Sequence, residues 1–221
     1  MNEIEFEFLD DFDELYISCI IFHDLHPDSE YTGLIAEKLL ELANTDEQKR
    51  QATWILASKD RRKAEGFYME LVQRLIERNC FTRTLSDAIC DMARWVLPLG
   101  GRFFIEKHWK DFTDSCSLLK LGNAAALSDH GLARKIFEYA EKNSKTPDEF
   151  YILAASIKKH TGDNSWIQRL LLEAEKASMI NHMVNTKALL GAEGVPEEQL
   201  KSIDKKSLLG ILSCKCDKFR Y

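Results

Sequence analysis

The chain has 221 residues, of which 45% are hydrophobic and 30% charged, and its net charge is −6. This composition is that of a folded globular protein and excludes disorder along the whole chain. The low content of Gly (10) and Pro (4) favours helices over a sandwich of short strands. No apolar run reaches the ~20 residues that span a bilayer, so no contact with a membrane is predicted.

Acidic residues dominate the beginning of the chain. The first 37 residues contain 11 Asp and Glu and no Lys or Arg. Residues 1–14 are interpreted as an acidic N-terminal arm, and such a surface repels phosphate and attracts basic partners, so a nucleic acid is not expected as a ligand. The predicted contacts for a basic partner are Asp10, Asp11, Asp13 and Glu14. The alternative is that these acids only keep the segment soluble.

The start of the chain also bears on its location. It is acidic where a secretory signal would be basic, which predicts a cytoplasmic protein. The six cysteines are scattered through apolar helical patterns, so reduced thiols are expected and a disulfide framework is not.

The first predicted lobe covers residues 15–97. Apolar residues recur there at helical intervals, which predicts helices over 15–25, 28–44, 60–78 and 84–97 and another that opens at Thr45. Thr45 and Gln48 have the spacing of a capping box, in which each side chain bonds the other residue's backbone amide. The run Pro98-Leu99-Gly100-Gly101 is expected to break the helices and to end this lobe.

The second predicted lobe covers residues 102–221. Helices are predicted over 103–112, 116–127, 132–142, 147–160, 165–177 and 179–190, with shorter helical patterns over 196–203 and 206–214. Thr146-Pro147-Asp148-Glu149 has the cap, first-turn proline and returning acid of a helix start, and Gly162-Asp163 predicts a turn.

Part of this lobe repeats itself at a spacing of 34 residues. Apolar residues fall at i, i+1, i+4, i+5 and i+8, which is one broad stripe on a helix. Because a single helix cannot bury such a stripe alone, the recurrence predicts helical hairpins that stack on one another. The first copy comprises Asp129, Leu132, Ala133, Ile136, Phe137, Ala140, Glu141 and Lys142, and the second comprises Asp163, Trp166, Ile167, Leu170, Leu171, Ala174, Glu175 and Lys176.

Residues 117–177 resemble tetratricopeptide repeats. The resemblance is carried by Leu121-Gly122-Asn123-Ala124, Ala133, Phe137 and Ala140, and then by Tyr151, Ala154, Ala155, Gly162-Asp163, Ile167, Leu171 and Ala174. It implies an all-α fold of about ten to eleven helices in a right-handed stack of antiparallel hairpins, one continuous solenoid. A HEAT-like solenoid stays open as an alternative.

The resemblance also implies a peptide-binding groove on the exposed face of each first helix. The implied groove residues are Leu119, Asn123 and Ala126 in one repeat and Glu149, Ile152, Ser156, Lys159 and His160 in the next. Some members of the family clamp a C-terminal carboxylate with paired Asn and Lys or Arg; only Asn123 matches that pattern, so no clamp is predicted.

Two sets of residues invite a chemical interpretation. Cys19, His23 and His26 share a helix face and would form a zinc site if Cys214 and Cys216 lay close by. The paired two-residue spacing that is typical of metal sites is missing, so packed cysteines and surface histidines are expected instead. The four tryptophans lie on apolar stripes and are predicted to be core residues: Trp54, Trp95, Trp109 and Trp166.

The sequence therefore predicts a non-enzymatic scaffold that binds a protein or peptide, without a cofactor. The alternative is an immunity protein that neutralises a basic toxin through its acidic N-terminal region. An enzyme is less favoured, because no phosphate loop, nucleophile elbow or paired-histidine zinc helix is present in the sequence. A nucleic-acid-binding helical repeat is less favoured because the chain is acidic overall.

Overall fold

The computed structural model describes residues 9–26 and 29–192, with side chains through residue 180. These residues form ten α-helices and no strand, which confirms the all-α class. The helices are α1 Phe12–Leu25, α2 Tyr31–Leu42, α3 Asp46–Ala57, α4 Arg61–Glu77, α5 Arg83–Asp91, α6 Pro98–His108, α7 Ser115–Ala125, α8 His130–Asn143, α9 Pro147–His160 and α10 Asn164–Ala192.

Two helix starts follow the capping chemistry predicted from the sequence. Before α3, the amide of Gln48 donates to Thr45 Oγ1 at 3.1 Å, and the amide of Thr45 donates to Gln48 Oε1 at 3.2 Å. Before α9, the amide of Glu149 donates to Thr146 Oγ1 at 3.3 Å, and the Thr146 amide donates to Glu149 Oε2 at 2.9 Å. Both predicted starts are confirmed, because each pair satisfies amides that have no partner within the helix.

The helices are interrupted near Pro98 as predicted, but at Leu97 alone; Pro98–Gly101, which were predicted to be the break, form the first turn of α6. Proline suits the first helical position, where its missing N–H would have no acceptor, and the preceding Leu97 leaves the helical region with φ −136° and ψ 76°. Gly101 permits close packing: a Cβ there would lie 2.3 Å from the backbone nitrogen of Ala93.

A π-helix extends α5 over Met92–Val96. The amide of Leu97 donates to the carbonyl of Met92, five residues earlier, at 2.9 Å. Helical turns of this kind are rare and are frequently found at functional sites.

The two helices predicted over 165–177 and 179–190 are a single helix, α10. The proposed boundary at Ser178 carries neither Gly nor Pro, so nothing in the local sequence interrupts the backbone hydrogen bonds there.

The chain divides into two compact units. Among the described residues, the first contains 9–26, 29–144 and 159–162, and the second contains 145–158 and 163–192. In the first unit each helix from α1 to α5 packs on the next, and α7 packs on both α5 and α8. Its core includes Leu15, Leu39, Leu56, Tyr68, Ile89, Met92, Leu118 and Phe137, all less than 2% exposed.

In the second unit, each helix buries one stripe. The buried positions of α9 include Phe150, Leu153 and Ile157, and those of α10 include Trp166 and Ala174. The predicted arm 1–14 and lobes 15–97 and 102–221 stay predictions. Within the described part of the chain, residues 12–14 form the first turn of α1.

None of the described helices is both long enough and apolar enough to cross a membrane.

Candidate functional site

The first unit has an apolar groove between α1, α3 and the π-helix. Its cavity volume is about 370 Å³, within the range of about 300–1,000 Å³ that is usual for ligand sites. Helix α1 contributes Ile20, His23 and Asp24, α3 contributes Trp54, Ile55 and Ala57, Ser58 follows α3, and the π-helix contributes Trp95.

Two tryptophans of this groove are exposed, which corrects the prediction that they are core residues. Trp54 is 44% exposed and Trp95 is 64% exposed. The core prediction is confirmed for Trp166, which is 4% exposed, whereas Trp109 is half-buried. Trp109 packs edge-on against Tyr139 with ring centroids 5.4 Å apart.

The exposure of Trp54 follows from its position on α3. The buried residues of this helix are Ala52, Thr53, Ile55 and Leu56, and Trp54 projects on the opposite side. It shares that side with Gln51, three positions before it, and Ser58, four positions after it. The polar neighbours were therefore a signal, available in the sequence, that Trp54 faces solvent.

The exposure of Trp95 follows from the π-helix. Met92 and Val96 of this segment are buried, and the wider turn leaves Trp95 and Arg94 outside. A regular helical period through Ile89 and Met92 would put Trp95 close to the buried side. No residue type in Met92–Val96 indicates a π-helix, so no comparable signal for the exposure of Trp95 was available in the sequence.

A serine, a histidine and an aspartate line the groove but do not form a catalytic arrangement. The Ser58 hydroxyl donates to the carbonyl of Ile55 at 2.7 Å. His23 Nδ1 is 3.9 Å from Asp24 Oδ1, beyond hydrogen-bond range. An activated nucleophile needs its base within about 2.6–3.2 Å and a third group that orients the base. The geometry suits polar contacts at the rim of a binding groove better than acyl transfer.

The cysteine of the zinc hypothesis lies in the core. Cys19 is fully buried, and burial raises the pKa of its thiol to about 12, which keeps it protonated. Its partners in that hypothesis, Cys214 and Cys216, lie outside the described residues. Among the described residues, no three His, Cys, Asp or Glu side chains are grouped as metal ligands.

The predicted N-terminal acids begin α1, next to the groove residues of the same helix. Asp11 is the N-cap, and its Oδ1 accepts hydrogen bonds from the amides of Asp13 and Glu14, both at 3.0 Å. Asp10 Oδ1 lies 3.6 Å from Lys38 Nζ. Asp13 and Glu14 are exposed. Asp11 is therefore engaged in capping, and a partner-binding role of the four acids stays a prediction.

Of the residues that the repeat resemblance implies for a groove, three are in the second unit, and of these Ile152 is 51% exposed. The Glu149 carboxylate accepts hydrogen bonds from the amides of Lys145 and Thr146 at 2.7 and 2.9 Å, so it serves the start of α9. Ser156 is buried and offers little surface to a partner.

The other five implied residues are in the first unit, where Leu119 and Ala126 are buried. Asn123 is half-buried on α7, and Lys159 is exposed. The His160 ring stacks on Phe137 with centroids 6.3 Å apart, and burial together with the charge of Lys159 lowers the pKa of His160. A binding role for these residues stays a prediction.

A network of charged side chains holds together the helices that support the groove. Arg50 Nη1 donates to Asp91 Oδ2 at 2.6 Å, and Arg50 Nη2 donates to Glu47 Oε1 at 2.7 Å. The hydroxyls of Tyr68 and Thr84 donate to Asp91 and Glu47 at 3.2 and 3.0 Å. Burial raises the pKa of Asp91, whereas for Glu47 burial is outweighed by the hydrogen bonds and charge of Arg50, which lower its pKa. Each acid of the network is paired within it, so the network acts as a link between α3, α4 and α5.

In comparisons with known proteins, no family model, no curated protein and no solved structure matches the chain.

Proposed function

We propose that this protein is a non-enzymatic scaffold that binds a protein or peptide partner through the groove of Trp54 and Trp95. The observation that carries the proposal is the pair of exposed tryptophans that line an apolar cavity of about 370 Å³. Tryptophan is enriched among the residues that dominate binding energy at protein interfaces. Two exposed tryptophans around one cavity are therefore better suited to anchoring a partner than to stabilising the chain.

Several features support binding over catalysis as the role of this groove. Its lining is mostly apolar, with a few polar groups at the rim, as in sites that recognise side chains. The Ser58 hydroxyl is held by a carbonyl, and the Cys19 thiol is buried with a raised pKa.

The stacked solenoid and its right-handed course belong to the same proposal. Sequential packing from α1 to α5, and of α7 with α8, supports an arrangement of neighbouring hairpins. The tetratricopeptide resemblance and the cytoplasmic location are also proposals of this kind, and they rest on the sequence patterns alone.

The test compares the natural chain with Trp54→Ala/Trp95→Ala in the selection of peptides from a random displayed library. We expect peptides to be enriched on the natural chain and to bind the double variant at least ~100-fold more weakly, since two hot-spot residues are worth about 2 kcal/mol or more each. Both side chains are exposed, so the variant should keep the helical circular dichroism of the natural chain.

The control is Tyr151→Ala/Ile152→Ala, which removes two exposed apolar side chains from α9. Binding of the selected peptides should be unchanged in this control. Equal enrichment on the natural chain and the tryptophan variant would remove the groove as the binding site, and a lack of any enriched peptide would remove the proposal.

A second candidate function is neutralisation of a basic toxin, which depends on the exposed acids at the start of α1. For this candidate we expect Asp13→Asn/Glu14→Gln to weaken capture of the toxin and to reduce its dependence on salt. A toxin bound with unchanged affinity would contradict it.

A further inference from the structure

Helix α1 carries apolar side chains on two opposite sides. Its inner side buries Phe12, Leu15, Cys19 and Phe22. On the outer side, at intervals of four residues, Ile17 is 59% exposed, Ile21 49% and Leu25 69%. A surface helix normally turns polar residues to water, and a helix that is apolar all round is normally covered on both sides. The outer stripe therefore has the composition of a contact surface.

This outer stripe is continuous with the groove. Ile20 and Asp24 line the groove, and on a helix they lie next to Ile17 and Ile21, three or four positions away. Trp54 and Trp95 line the same groove. The apolar surface thus extends from the two tryptophans across the exposed side of α1.

The charged residues at the two ends of the stripe on α1 are acidic. Asp13 and Glu14 are exposed one turn before Ile17, and Asp24 is exposed beside Leu25. Helix α1 itself contains no Lys or Arg, and the first basic residue of the chain is Lys38, which lies 3.6 Å from Asp10. An apolar stripe with acids at both ends is complementary to a segment that combines apolar and basic residues.

Building on the proposed function, we propose that the occupant of this surface is a cationic amphipathic helix of a partner protein. Its apolar residues, at intervals of three and four, lie along Ile17, Ile21 and Leu25 and place one side chain between Trp54 and Trp95. Its Lys and Arg residues face Asp13, Glu14 and Asp24. This is the helix-in-groove mode of recognition, in which apolar anchors give affinity and charges select the partner.

The experiment uses three labelled peptides of the same length as probes. The first is an amphipathic Leu/Lys helix, the second has the same composition in an order that spreads leucine around the helix, and the third is an amphipathic Leu/Glu helix. Binding to the full chain is measured by fluorescence anisotropy at about 0.05 M and about 0.5 M salt, because charge pairs at an exposed rim are screened at the higher concentration.

We expect the amphipathic Leu/Lys peptide to bind at least ~10-fold more tightly than the other two, and the added salt to weaken it. In Asp13→Asn/Glu14→Gln its affinity should fall about fivefold, the effect of about 1 kcal/mol from exposed pairs. In Ile17→Ser/Ile21→Ser it should fall at least ~10-fold. Tyr151→Ser/Ile152→Ser, the matched control on α9, should bind like the natural chain.

Equal binding of the two Leu/Lys peptides, or binding of the Leu/Glu peptide alone, would overturn the inference. The groove proposal would survive that result if library peptides still required Trp54 and Trp95. Two other occupants are tested directly. A dimer in light scattering that Ile17→Ser/Ile21→Ser converts to monomer would assign the stripe to a second copy. A ~10-fold gain in peptide affinity in Phe6→Ala/Phe8→Ala would assign it to the chain's own N-terminus. Either result would overturn the proposal of a partner helix.

Discussion

The two hairpins that share the 34-residue pattern, α7–α8 and α9–α10, differ in how they are buried. In α8 the repeat buries Ala133, Ile136, Phe137 and Ala140, and Phe137 is 0% exposed. At the matching positions of α10, Trp166, Leu170 and Ala174 are buried but Leu171 is 38% exposed. The same spacing thus buries Phe137 completely in one hairpin and leaves its counterpart Leu171 partly exposed in the other.

The first helices of the two hairpins differ more strongly. Helix α7 buries residues around most of its circumference, because α5 packs on one side of it and α8 on another. Helix α9 buries Leu153 and Ile157 but leaves Tyr151 and Ile152 exposed. The repeat pattern thus specifies one buried side of each helix, and a second neighbour, α5, buries more of α7.

The largest expected effect comes from truncating the aromatic residue of α8. Phe137→Ala removes a fully buried ring and should lower the free energy of unfolding by about 3–5 kcal/mol. Leu171→Ala, at the matching position of α10, should lower it by less than about 2 kcal/mol, since Leu171 is partly exposed. Urea denaturation followed by circular dichroism and by hydrogen exchange checks both. Equal losses would show that the two hairpins are equivalent after all.

A smaller loss of stability is expected from adding a methyl group at Gly122, where α7 lies close to α8. A Cβ at Gly122 would lie 2.5 Å from Cε1 of Phe137, a ring enclosed by the core. Gly122→Ala should therefore be less stable than the natural chain by about 1–3 kcal/mol, the usual effect of overpacking.

Gly66→Ala is the matched control, since a Cβ at Gly66, in α4, would have no neighbouring atom within 4 Å. It should be up to about 1 kcal/mol more stable than the natural chain, because alanine favours helix. If Gly122→Ala is stabilised as much as the control, the close approach of the two helices is not real.

The smallest expected change is in the pH dependence of stability, and it concerns Asp129, the N-cap of α8. The Leu132 amide donates to Asp129 Oδ1 at 2.9 Å, and this hydrogen bond, with the charge of Arg102, lowers the pKa of Asp129. A carboxyl with a lowered pKa stabilises the folded state above its unfolded pKa, and that contribution is lost as the pH falls through the folded value.

The expected outcome is a Tm that falls less steeply below about pH 4 in Asp129→Asn than in the natural chain. Asn can still cap the helix but does not titrate. In the second hairpin the equivalent cap is Asp163, whose Oδ1 accepts from the Trp166 amide at 3.1 Å. Parallel Tm curves for the natural chain and Asp129→Asn would show that Asp129 does not contribute to acid sensitivity.

Local sequence signals predicted most of the described helices. The caps at Thr45 and Thr146 were readable, because Ser and Thr followed by Glu or Gln satisfy backbone amides whatever the tertiary context. Gly162 was predicted as a turn and has a φ of 67°, which suits glycine. The error at Pro98 came from treating proline and glycine only as helix breakers, although proline is favoured at a first helical position.

The candidate site was predicted only in part. The acids of α1 were identified from charge, and their neighbours Ile17, Ile21 and Leu25 look like ordinary core residues of a helix in the sequence. Their exposure depends on which sides of α1 meet other helices, and that is set by tertiary packing. Trp54 was misassigned despite its polar neighbours, and the position of Trp95 depends on a backbone hydrogen-bond pattern that residue types do not encode.

The exposure of Trp95 depends on the π-helix at Met92–Val96. A π-turn holds one residue more than the α-turn it replaces, so loss of one codon in this segment would restore the regular helical period and move Trp95 toward the buried side. In evolutionary terms, a single in-frame insertion or deletion can thus expose or bury Trp95, without a substitution at any residue of the groove.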